Sequence, residues 1–116
     1  MVRQKIIIYQ IFTRLFGNRS NGCKPGGTIA ENGSGKMSFF TDELLHGLRA
    51  KGYSHVWYTG LIRHATTTDY TRYGIPSQHP AIVKGKAGSP YAIVDYYDID
   101  PDLADDVDNR MQEFEQ

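Results

Sequence analysis

Lys5-Ile6-Ile7-Ile8-Tyr9-Gln10-Ile11-Phe12 is a nearly continuous β-branched and aromatic run. A strand wet on one side alternates apolar and polar residues. A run without alternation suits a strand buried on both faces, as in a parallel sheet. Downstream, Thr13 to Ser38 has the opposite character, with Lys24-Pro25-Gly26-Gly27 and Asn32-Gly33-Ser34-Gly35 as breakers. A loop this long inside a domain is usually functional or mobile. Thr41 then has the chemistry of a helix N-cap, with Asp42 and Glu43 where the helix dipole favours negative charge. Phe40 and Leu45 are placed as a hydrophobic staple, and Leu44, Leu45 and Leu48 form one apolar face before Gly52 ends the helix. His55-Val56-Trp57-Tyr58-Thr59 is a second β-rich run. Strand, helix, strand in this order predicts a crossover with two parallel strands.

Gly60 to Ala87 reads as a second long loop, holding Arg63, His64, Tyr70, Tyr73 and His79. Ala81-Ile82-Val83 and Ala92-Ile93-Val94 are expected to pair around the Gly85–Pro90 turn. Gly88 to Leu103 joins turn residues, tyrosines and aspartates, the make-up of a binding surface. Asp105 or Asp106 caps a final helix whose Val107, Met111 and Phe114 fall at helical spacing. Two parallel strands cannot cover both faces of a sheet, so the pattern predicts a further strand after residue 116.

The 13 basic and 13 acidic residues cancel, which removes the global electrostatic case for nucleic acid or an anionic membrane. No apolar run approaches the length of a membrane span. The single cysteine, Cys23, rules out an internal disulfide. Eight tyrosines among 116 residues suit a wet, stacked surface such as a sugar site, and equally suit half-buried strands.

Gly33-Ser34-Gly35-Lys36 fails as a phosphate loop, because Ala30 and Met37 stand where a Gly and a Ser or Thr are required. Asp98, Asp100 and Asp102 imitate the start of a calcium loop, but Leu103 and Asn109 occupy its obligatory Gly and Glu positions. The aspartates read better as caps and loop braces. No metal-ligand spacing links His64 and His79, and Cys23 has no base partner. No catalytic residue and no metal ligand is therefore assigned within the chain.

Three blocks carry a family resemblance. Ile8 to Gly17 (Ile-Tyr-Gln-Ile-Phe-Thr-Arg-Leu-Phe-Gly) resembles the first strand of the alpha-amylase family of glycoside hydrolases, family 13. Gly52 to Gly60 resembles its second strand. Ser89 to Pro101 resembles the segment leading to the helix before its third strand. The resemblance implies an α/β fold: an incomplete (β/α)8 TIM barrel, with the first two parallel strands, their helices and a long loop. Residues 1–116 would be its N-terminal part, truncated before the third strand, since such barrels need about 250 residues. It implies a retaining hydrolase of α-1,4-linked glucans such as starch and maltooligosaccharides. Tyr91, four positions before Asp95, matches a tyrosine that stacks on sugar in that family. Ala92 departs from the second aromatic residue that often follows. His64 is a weaker substrate-binding candidate.

The family's catalytic carboxylates lie beyond its third strand, so the fragment alone is expected to be inactive. No cofactor is expected in this chain, while the full-length enzyme has room in its family pattern for calcium. The expected partner is an α-glucan, with no nucleic acid and no membrane span, and with dimerisation or strand swapping through unpaired edges. An extracellular or periplasmic location follows from the resemblance alone. The alternatives are a non-catalytic carbohydrate-binding module and a nucleotide-dependent enzyme, the latter lacking its phosphate loop.

Overall fold

A computed structural model describes residues 4–116. Strand β1 (Ile8–Phe12) and strand β2 (His55–Thr59) pair in parallel, with Tyr9 opposite Val56 and Ile11 opposite Tyr58. The crossover carries a short helix α1 (Ile29–Asn32) and the helix α2 (Asp42–Ala50). Thr41 caps α2, its hydroxyl accepting from the Leu44 amide. Leu44, Leu45 and Leu48 are the half-buried residues of that helix, and the rest of it is exposed. Local chemistry alone starts this helix and chooses its inner face.

After β2 the chain turns at Gly60 into β3 (Ile62–His64), which pairs antiparallel with β4 (Ile93–Ile99) through an irregular register. Helix α3 (Arg110–Glu115) follows a tight turn at Val107–Asn109, which the Asp106 side chain caps by accepting from the Asp108 amide. The expected incomplete (β/α)8 barrel is therefore not what the chain forms. Among the described residues it makes two separate two-stranded sheets, one parallel and one antiparallel, with three helices and no barrel. The cause is local. The Gly60 turn sends the chain back directly, and β3 takes β4 as its partner instead of extending the parallel sheet. The expected pairing of Ala81–Val83 with Ala92–Val94 also fails, because Pro80 starts a 3-10 turn over Pro80–Ile82.

Nor is β1 buried on both faces. Tyr9 and Ile11 face inward with Val56 and Tyr58, while Ile8 and Trp57 on the opposite face are exposed. The inner face meets an aromatic cluster: Tyr9 against Tyr53 at 5.0 Å, Phe16 stacked on Phe40 at 5.5 Å, and Phe40 edge-on to Tyr58 at 5.1 Å. The radius of gyration is 15.7 Å, against about 13 Å for a compact chain of this length, so the two sheets leave open space between their loops.

Ion pairs add to the buried Ala65, Ile99, Leu103 and Ala104 in supporting the second sheet. Arg110 grips Asp98 with both ends of its guanidinium, at 2.7 and 2.9 Å, and ties α3 to β4. Arg63 lies 3.1 Å from Asp95 and 3.0 Å from Asp98, across β3 and β4. Partial burial raises the Asp98 carboxyl, but the Arg110 hydrogen bonds and the Ile99 amide outweigh it and hold the group below its ordinary value. That contribution is present at neutral pH and is lost in strong acid, as Asp98 protonates. Among the described residues no helix is long and apolar enough to cross a membrane.

Candidate functional site

The space between the sheets is an open cleft of about 1030 Å³ at the carboxyl end of β1, the side of a parallel sheet where ligands commonly bind. Phe12, Arg14 and Leu15 leave β1 into its floor. The loop through Gly26–Ile29 and Asn32–Ser34 forms one wall, and Lys84–Tyr91 forms the other.

Each wall is internally fastened. In the first, Asn32 Oδ1 accepts from the Lys24 amide at 2.7 Å and its Nδ2 donates to the Lys24 carbonyl at 2.9 Å. Thr28 and Glu31 form a reciprocal capping box at α1. In the second, three successive carbonyls are each held by a side chain from outside the turn. Thr67 Oγ1 donates to Lys86 O at 2.9 Å, His64 Nε2 to Ala87 O at 3.1 Å, and an Arg14 guanidinium nitrogen to Gly88 O at 3.1 Å. Gly88 also fits against Ala65 so closely that a Cβ would lie 1.8 Å from the Ala65 carbonyl oxygen.

Tyr91 stands on the rim of this clamped wall with 76% of its surface exposed. His64 lies elsewhere. It ends β3, is 3% exposed, and sits beneath the wall without lining the cleft. The two residues singled out by sequence thus meet through the Ala87–Tyr91 turn.

Beneath His64 is a buried polar layer. His64 Nδ1 faces Asp100 Oδ2 at 3.5 Å, and neither atom has a hydrogen-bond partner among the described residues. Asp100 caps the Pro101–Leu103 turn, its Oδ1 accepting from the Asp102 amide at 3.1 Å. The Tyr70 hydroxyl donates to Asp102 Oδ1, and burial followed by that carboxylate pushes the phenol upward. Lys36 Nζ donates to the carbonyls of Asp102 at 2.8 Å and Ala104 at 3.2 Å, linking the crossover to the second sheet. Burial, then the Asp102 charge, raises the Asp100 carboxyl to about 8. Burial likewise lowers His64, so both members of the pair are driven to their neutral forms.

These aspartates do not fit a calcium ion. Asp98 is engaged by arginines, one Asp102 oxygen is taken by Tyr70, and Asp100 is driven to its acid form. Among the described residues no group of three or more His, Cys, Asp or Glu converges to hold a metal. The two carboxylates lining the cleft are also occupied, Asp102 by Tyr70 and Asp69 by the amide and hydroxyl of Thr71. The cleft thus sets the Tyr91 ring beside backbone and side-chain polar groups, with both of its carboxylates already accepting hydrogen bonds. Arg14, Asp100 and the Lys84–Lys86 stretch were not legible as site residues, although the Asp100-Pro101 step is a recognisable turn signal.

No protein-family model, no curated protein and no solved structure matches this chain.

Proposed function

We propose that the chain supplies a glucan-binding wall of a retaining glycoside hydrolase of the alpha-amylase type, acting on α-1,4-linked glucans. The single observation that carries this reading is the exposed Tyr91 ring, held by a hydrogen-bonded turn on the rim of an open cleft lined by both apolar and polar groups. A sugar ring pairs an apolar C–H face with a hydroxyl edge, and such a cleft meets both. The resemblance of Ser89–Pro101 places the stacking tyrosine at the same residue. The nucleophile and general acid are supplied by carboxylates outside these 116 residues, with an exported setting where glucan polymers occur.

Calorimetry with maltoheptaose and with ATP tests it. Saturable heat with maltoheptaose, none with ATP, and no release of new reducing ends are expected. Heat from ATP alone would sink the proposal, and glucan hydrolysis by the chain itself would refute the assignment of chemistry to other residues. A non-catalytic carbohydrate-binding module is the second reading, favoured by the occupied state of Asp69 and Asp102.

Self-association belongs to the same proposal. The outer edges of β1 and β2 are unpaired among the described residues, and Ile8 and Trp57 are exposed beside them. Such edges join other chains. Light scattering is expected to give a dimer or larger species, and a monomer at high concentration would count against it.

A further inference from the structure

The Ala87 carbonyl can only accept, so the His64 nitrogen facing it must carry a proton. In a neutral ring the other nitrogen, Nδ1, then presents a lone pair. That lone pair points at Asp100 Oδ2, 3.5 Å away, inside a layer where the two side chains are 2% and 1% exposed. Two buried acceptors facing each other is unfavourable. One proton in the gap resolves it, and the neighbourhood decides where it comes from. The ionisable groups facing the pair are Asp102, Arg14, Lys36 and Tyr70. Tyr70 and Lys36 are spent on Asp102 and on backbone carbonyls, and Arg14 on Gly88.

We infer that Asp100 in its acid form turns its proton toward His64 Nδ1, a polar contact that at 3.5 Å is longer than a full hydrogen bond, and that this buried proton holds the Ala87–Tyr91 turn in its sugar-receiving geometry. His64 and Asp100 are positioning residues: neither lines the cleft, and they act through the Ala87 carbonyl. Removing the proton leaves a carboxylate against a lone pair, the pair separates, and the carbonyl loses its donor. The Asp100 contribution is fully present below its unfolded value and disappears as pH rises through the folded value, while the His64 lone pair exists only above the lowered folded value of His64, so the clamp is closed in the window between the two. The site thus carries an alkaline release.

The ligand arm of the test rests on the sugar-binding reading, whereas the exchange arm does not. On the wild-type chain, amide hydrogen exchange at Gly88 and Ala92 and the ring nitrogen shifts of His64 are followed from about pH 6 to about pH 9.5. Protection at both amides is expected to fall about tenfold or more across that range, together with a change at His64 Nδ1. Asp100→Asn keeps a donor for Nδ1 and cannot lose it, so its protection is expected to stay flat. Maltoheptaose affinity is expected to fall with protection in the wild type alone. Protection independent of pH in the wild type overturns the inference whether or not the variant folds, and so does a variant profile that tracks the wild type. Maltoheptaose affinity that stays constant while protection falls overturns the link to Tyr91. Absence of maltoheptaose binding at about pH 7 instead removes the sugar reading, and the exchange profile still decides the proton clamp.

Discussion

Gly88→Ala is expected to destabilise the chain by about 4 kcal/mol or more, close to the whole stability of a small domain. The backbone at Gly88 has φ +82°, a region that costs an L side chain about 1–2 kcal/mol. The larger part comes from contact. The new methyl would lie 1.8 Å from the Ala65 carbonyl oxygen and 3.3 Å from the His64 ring, and the backbone atom cannot swing away as a flexible side chain would. Opening the turn to admit it pulls the Ala87 and Gly88 carbonyls from His64 and Arg14. Gly85→Ala is the control, with φ +62° and nothing within 4 Å of its Cβ. It pays only the conformational cost, about 1–2 kcal/mol. Urea unfolding of both variants measures the difference, and equal destabilisation would show that the close approach of Gly88 to Ala65 does not matter.

The second large effect falls on binding. Tyr91→Ala removes a ring that is 76% exposed, so the free chain should lose no more than about 0.5 kcal/mol of stability. Affinity for maltoheptaose should drop about 10- to 100-fold, equivalent to about 1.4–2.8 kcal/mol. Tyr91→Phe keeps the stacking face and should bind within about threefold of the wild type. Titration calorimetry on the three proteins decides it. An alanine variant that binds as well as the parent would remove Tyr91 from the site, and a phenylalanine variant as weak as alanine would shift the role to the hydroxyl.

What the sequence disclosed follows from how local each signal is. Thr41 and the leucine face of α2 depend on neighbours three and four positions away, so the helix was readable. The parallel pairing of β1 with β2 followed from strand, helix and strand in succession. The second sheet was not readable. β3 has only three residues, two of them polar, and β4 reads Ile-Val-Asp-Tyr-Tyr-Asp-Ile without an apolar alternation. Its pairing is held by Arg63 and Arg110 on Asp95 and Asp98, contacts spanning 32 and 12 residues, which no window on the sequence detects. That omission turned a separate antiparallel sheet into an expected barrel. At the site, Tyr91 was singled out only by the family resemblance, since no local spacing distinguishes it from the other tyrosines of the stretch. Asp100 was legible as a brace, but its partnership with His64 requires the folded chain.

Arg14 and Lys36 join the two halves of the molecule by donating to main-chain carbonyls of Gly88, Asp102 and Ala104. Ionic strength therefore acts unevenly on the chain. Mobile ions screen opposite surface charges such as Lys24 and Glu31, but they have no countercharge to neutralise at a carbonyl acceptor. The joint across the cleft should hold in concentrated salt better than the exposed Lys24–Glu31 pair.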